Sequence, residues 1–182
     1  MAQEIRVVDK SGNEGRVRGS DNRLDTSART AGRGYYNSRD DAQTYSIVFD
    51  AQSAAAGDFV FYFKNTSTTG KIWIIDGVGL NSVENSRMKM HIVSGTAAGG
   101  TTLTPLNLNR SSGNAATATA MEGAITGLTS TGLVDFAYVA AAGHEEFRLE
   151  DRLRLGQNDA IAIEYDEGTT GDVSGVMFGF FE

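Results

Sequence analysis

"DFVFYFKNTSTTGKIWIID", residues 58–76, carries the reading of the whole chain. Both ends are strand-length and rich in β-branched and aromatic residues, with the polar NTSTTG as a turn between them, so the stretch reads as a β-hairpin. Successive strand residues point to opposite faces, which puts Phe59, Phe61 and Phe63 on one side and Val60, Tyr62 and Lys64 on the other. By the same rule Ile72 and Ile74 oppose Trp73 and Ile75. A sheet with one wet face alternates apolar with polar, whereas this hairpin is apolar on both. Burying each such side chain is worth roughly 1.5–3 kcal/mol, so both faces need cover. Loops or the N-terminal segment can supply the second cover within one chain. The expectation is a neighbouring copy, with Val60, Tyr62 and Trp73 at the interface, since obligate interfaces resemble a core cut in half.

The same texture continues outward. YSIVF (45–49), RMKMHIV (87–93), TTLTPLNLN (101–109), LVDFAYV (133–139), FRLEDRLRL (147–155), AIAIEY (160–165) and VSGVMFGFF (173–181) are further strand-length runs. Clusters of Gly, Asn, Asp and Ser separate them, and GQND at 156–159 is a clear turn. The closing run repeats the anomaly of the hairpin, with Val176, Phe178 and Phe180 on one face and Met177 and Phe181 on the other. AATATAMEGA (115–124) reads equally as one helical turn or a strand. No solenoid or propeller repeat is visible, and the pattern fits one all-β domain over 44–182, an antiparallel sandwich or barrel. The 22 glycines against 1 proline among 182 residues suit a fold of many tight turns.

Residues 1–43 read differently, as an extended N-terminal arm. From Lys10 to Gln43 neither a helical nor a two-residue period survives, and large apolar residues are few, so an arm that orders only against a partner is expected. It carries Arg16, Arg18, Arg23, Arg29, Arg33 and Arg39 together with Tyr35 and Tyr36. Arg and Tyr anchor interfaces well, which makes Arg33, Tyr35, Tyr36 and Arg39 the expected contacts. Residues 1–45 hold 8 basic and 7 acidic side chains while the remainder holds 8 and 16, so only the arm suits an acidic surface. The overall charge of −7 disfavours a general nucleic-acid partner. MAQEIRVVDK contains no apolar stretch of signal-peptide length, and no run approaches a membrane span, so no membrane partner is expected. The absence of cysteine suits a reducing cytoplasm.

No motif in the chain requires a catalytic explanation, and no cofactor or metal is expected. NTSTTGK resembles a phosphate-binding loop, but Asn65 stands where the first Gly belongs and Ile72 where Ser or Thr belongs. The two histidines, His91 and His144, would have to converge by folding to share a zinc ion. EYDEGTTGD (164–172) lacks EF-hand spacing and reads as a solvated acidic turn. Asp40/Asp41, Glu145/Glu146 and Glu150/Asp151 are adjacent, which in a strand sends each pair to opposite faces. The serines lack a nucleophile-elbow context, and the sequons at Asn65 and Asn109 read as chance matches.

FVFYFKNTSTTGKIWIIDGVGLNS (59–82), TTLTPLNLNRSSGNAATATA (101–120) and LRLGQNDAIAIEYDEGTTGDVSGVMFGFFE (153–182) resemble small virion structural proteins of tailed bacteriophages, of the head decoration or cement type. The likeness covers the body and not the arm, and brings no catalytic residues. It implies a β-sandwich or jelly-roll homotrimer, without enzyme activity, fastened through its arm to the major capsid protein. It would be assembled in the host cytoplasm and sit on the outer surface of the phage head. The alternative is a tail- or fibre-associated module that binds a receptor glycan, with Tyr138, Trp73 and the Asn-rich loops as contacts. A sandwich hydrolase or lyase acting on polysaccharide is the third reading, weakened by the lack of an acid/base pair.

Overall fold

The computed structural model describes the backbone of residues 5–8 and 14–17 and all of residues 42–182 except the side chains at 150 and 151. In the first unit, strands β1 (Ile5–Val8) and β2 (Glu14–Val17) pair antiparallel, Ile5 opposite Val17 and Val8 opposite Glu14. The second of these strands departs from the expectation that no two-residue period survives beyond Lys10. A ladder needs only a few extended residues, and β2 gains its backbone hydrogen bonds from the β-branched IRVV segment.

The body is all β. Its strands are β3 (Thr44–Ala54), β4 (Asp58–Asn65), β5 (Trp73–Ser82), β6 (Ser86–Ala98), β7 (Thr101–Leu103), β8 (Leu106–Asn107), β9 (Ala118–Val139), β10 (Gly143–Leu155), β11 (Ala160–Gly168) and β12 (Gly171–Phe181). They form two five-stranded antiparallel sheets, ordered β10-β5-β12-β3-β8 and β4-β11-β6-β9-β7. With the short β7 and β8 set aside, eight strands remain. Numbered along the chain they run 6-3-8-1 in one sheet and 2-7-4-5 in the other, the connectivity of a jelly roll. The main core lies between the sheets. Trp73 is its centre, with ring centroids at 4.6 Å to Phe63, 4.9 Å to Phe181 and 5.8 Å to Tyr45. Phe49 stacks on Phe61 at 4.6 Å nearby.

The opening stretch is not a hairpin. β4 pairs with β11 and β9, while β5 pairs with β10 and β12, so the chain between them crosses from one sheet to the other. Phe63 and Trp73 therefore meet across the core instead of side by side. Asn65 makes the corner. Its buried Nδ2 donates to the carbonyls of Lys71 and Leu155, both at 2.9 Å, and its Oδ1 accepts from Ser67 N at 2.9 Å. The backbone of Asn65 bonds Asp159 O and Asn158 N, which ties this crossing to the GQND turn. The sequon asparagine is thus a fully buried structural hub.

The second face of β4 is covered within the same chain. Register breaks between Phe59 and Phe61 against β9, and opposite them on β11, mark a bulge at Val60. The extra residue keeps Val60, Phe61 and Phe63 in the main core and turns Phe59 to the side of Tyr62. There Tyr62, Val93, Ile125, Ala160 and Ala162 make a second buried cluster, packed by Phe59, Ala97, Met121 and Leu128. β9 closes it. This 22-residue strand pairs with β6 along 126–139, then with β4 along 118–125 while β7 borders its other side, so the sheet curls back upon itself. Gly95 and Gly127 permit the curl: a Cβ on Gly95 would lie 2.3 Å from Gly127 O, and one on Gly127 would lie 2.3 Å from Thr96 O. AATATAMEGA resolves as strand from Ala118 onward, and LVDFAYV is the last third of the same strand.

Candidate interaction surface

Of the residues expected at an interface, Arg33, Tyr35, Tyr36 and Arg39 lie outside the described residues. Val60, Tyr62 and Trp73 are 0%, 3% and 0% exposed within this single chain. That expectation is corrected: Val60 and Trp73 fill the main core and the curl of β9 covers Tyr62, so these three side chains leave no area for a partner.

One patch of exposed apolar surface lies on the outer face of the sheet containing β12, and a second group, Leu133, Phe136 and Tyr138, lies on β9 of the other sheet. Residues paired across antiparallel strands share a face. Leu106, Ser46, Phe178, Gly77 and Arg148 form one row across β8, β3, β12, β5 and β10. Val48, Val176, Gly79 and Glu146 form the next. Val48 is 67% exposed, Leu106 49% and Phe178 41%, so three large side chains on neighbouring strands face water together. The glycines keep the adjoining strip low. At Gly79 an added Cβ would meet His144 Cε1 at 3.0 Å, and at Gly77 it would meet Glu146 Oε1 at 3.1 Å, so these polar side chains lie flat beside the patch. Arg148 Nε donates to Glu146 at 2.9 Å and completes a charged border. An apolar centre with a polar rim is how protein–protein contact surfaces are organised. Val176 and Phe178 were legible in VSGVMFGFF as an apolar second face; their joining with Val48 and Leu106 depends on strand order and was not.

The outer face of the other sheet joins a cluster of paired charges to exposed Phe136 and Tyr138 on β9. Asp166 on β11 accepts from Lys89 at 2.5 Å and from Arg87, and Arg87 also bonds Glu167 at 2.6 Å. The Lys89 ammonium, with Arg87 behind it, holds the Asp166 carboxyl below the usual carboxylate range despite partial desolvation. Hydrogen bonds to Tyr138 and then Asp166 push the Arg87 guanidinium further toward the charged state. Glu164 and Asp166 therefore belong to a strand bound to basic partners on β6, not to a solvated turn; cross-strand register, invisible in local spacing, makes the difference.

His91 joins three strands. Its Nε2 lies 2.8 Å from Glu164 Oε2 on β11 and its Nδ1 2.8 Å from Ser130 Oγ on β9, with Phe59 edge-on at 6.0 Å. Ser–His–carboxylate connectivity is that of a nucleophilic relay, yet acyl transfer also needs a concave site with oxyanion donors. Among the described residues one cleft lies around Ser86, Arg87 and Tyr138 and another around Asp50, Asn81 and Asp172, and none of the three relay residues lines either. The relay pins β6, β9 and β11 beside the second core. His144, on β10 in the opposite sheet, bonds Asn81 Oδ1 at 3.1 Å. Among the described residues no three His, Asp or Glu side chains converge as metal ligands would. No family model, curated protein or solved structure matches this chain.

Proposed function

We propose that the chain is a non-enzymatic structural subunit of a bacteriophage virion, a homotrimeric decoration or cement protein on the outer surface of the head. One observation carries the reading: the apolar patch of Val48, Leu106 and Phe178 on an outer sheet face bordered by charge. Exposing such a cluster is costly unless another surface covers it, and a second copy of the chain is the occupant proposed. A jelly roll suits the role, being common in capsid and lectin domains, although a fold alone assigns no function. The resemblance of residues 44–182 to phage structural proteins adds its own support. In this reading Arg33, Tyr35, Tyr36 and Arg39 contact the major capsid protein, and three copies of the arm multiply weak contacts with the shell. Nucleic acid and membrane are not partners.

Light scattering on the full chain tests the assembly. A mass three times that of one 19.4 kDa chain is expected, falling to one chain in Phe178→Asp and Val48→Glu with an unchanged circular dichroism spectrum. A wild-type protein that stays monomeric at high micromolar concentration overturns it. Removal of residues 1–43 should leave the trimer but abolish co-sedimentation with purified phage shells; unchanged binding refutes the arm's role.

A further inference from the structure

From Gly123 to Gly143 the sequence holds a single charged side chain, Asp135, in the middle of the apolar run LVDFAYV. That run belongs to the part of β9 whose second side is open. β6 pairs with β9 from Thr126 to Val139, whereas β4 and β7 reach it only between Ala118 and Ile125. Among the described residues no strand lies along the other side of 126–139. We propose that this open side of β9 is a latent pairing surface for a second copy of the chain, held closed by the Asp135 carboxylate.

The closure has a local cause. Met90 stands opposite Asp135 and His91 opposite Leu133, so Val134 is an extra residue and makes a bulge. Val134 still packs on the main core, while Asp135 beside it is exposed and its Oδ1 accepts from Phe136 N at 2.8 Å. In an antiparallel ladder the N–H and C=O of one residue both face the paired strand or both face away from it. The Phe136 amide is spent on the adjacent carboxylate and not on β6, so the backbone groups of Phe136, and of Tyr138 two residues on, are the ones an incoming strand would bond. Asp135 occupies the first of these donors and sets a hydrated charge beside the rest. A bulge and a charge on an open strand are known means of keeping sheets from associating.

The occupant follows from the side chains. Tyr138, Phe136 and Leu133 stand opposite Arg87, Lys89 and His91, which alternate along β6, so all three share the outer face. Each is more than half exposed, and the rings of Phe136 and Tyr138 meet edge-on at 5.9 Å. An aromatic and β-branched strand without proline and with one charge favours pairing with its own kind. Laid antiparallel about a two-fold axis at Ala137, Phe136 of each copy falls opposite Tyr138 of the other. A foreign strand carrying Lys or Arg could turn Asp135 into an ion pair, whereas a second β9 brings no cation between 123 and 143, so the carboxylate acts against the chain itself. The inference goes beyond the assembly reading and stands without it, since Val48, Leu106 and Phe178 lie on the opposite sheet.

The test is Asp135→Ala in the full chain, which removes the acceptor and the charge together. On incubation at high micromolar concentration its light scattering should exceed that of the wild type by about tenfold, with thioflavin T fluorescence. The circular dichroism spectrum and melting temperature of the fresh protein should be unchanged. Hydrogen exchange locates the contact: the amides of Phe136 and Tyr138 should gain protection in the associated protein. Asp135→Asn keeps an acceptor without the charge and should associate more slowly than Asp135→Ala but faster than the wild type. Phe136→Lys added to Asp135→Ala returns a charge to the open side and should restore wild-type behaviour. Scattering of Asp135→Ala equal to that of the wild type overturns the proposal, as does protection gained elsewhere, or association that persists in the double variant. Pairing at these amides only with an added lysine-containing strand peptide overturns the choice of occupant. If Asp135→Ala does not fold, Asp135→Asn carries the test, and scattering equal to the wild type refutes it.

Discussion

Replacing Asn65 with alanine removes three hydrogen bonds at once and leaves the carbonyls of Lys71 and Leu155 without their donor in a buried corner. A loss of about 2–4 kcal/mol is expected, larger than for a typical surface asparagine, and urea denaturation measures it. Asp166 gives a pH dependence of defined sign. Its carboxyl titrates lower when folded than when unfolded, so its contribution is complete above the unfolded value near pH 4 and fades as pH falls through the folded one. Asp166→Asn should flatten the acid limb of a melting-temperature profile below about pH 4. Tyr45, Tyr62 and Tyr165 behave in the opposite sense: burial raises each, so the stability tied to their neutral forms holds up to about pH 10 and is lost above it. Alkaline unfolding accompanied by tyrosinate absorbance should begin in that range.

Among the elements β9 decides most. Gly127→Ala forces a Cβ toward Thr96 O at a backbone φ of 76°, and should cost about 1–3 kcal/mol. Hydrogen exchange should locate the damage in the second cluster, around Tyr62 and Ile125, before the main core responds. β12 is central in its sheet, between β3 and β5, so deletion of Val176–Glu182 should give insoluble protein without a cooperative unfolding transition. The strand runs were legible because β-branched and aromatic residues mark them wherever both faces are buried, as at Phe61 and Trp73. β9 was mostly hidden: its Ser, Thr and Gly residues face water or fit close backbone contacts, so half of it carries no apolar period. The bulge at Val60 was equally silent, since a single added residue changes which side chains share a face without changing composition. The supposed hairpin failed because a polar linker looks alike whether it turns within one sheet or crosses between two. Only Asn65, a polar residue with every group satisfied inside, separates the cases, and its partners lie as far along the chain as Leu155. The Ser86 cleft and the His91 relay were unreadable for the same reason, being assembled by register from three separate strands.

At the scale of the whole molecule the two proposed contacts respond oppositely to salt. Copies carrying a charge of −7 repel one another, so added salt should tighten an association made through Val48, Leu106 and Phe178. Shell binding through the Arg-rich segment should weaken over the same range, and sedimentation at 0.05 and about 0.5 M salt distinguishes them.

Pairing of β4 on both of its flanks has a further consequence for how the molecule meets its own kind. The strand that would otherwise terminate that layer has no free row of amides and carbonyls to offer. At that border no template is left on which a stranger's backbone can zip. Copies that crowd together therefore cannot zip through this strand, and contact along it is left to side chains meeting face to face.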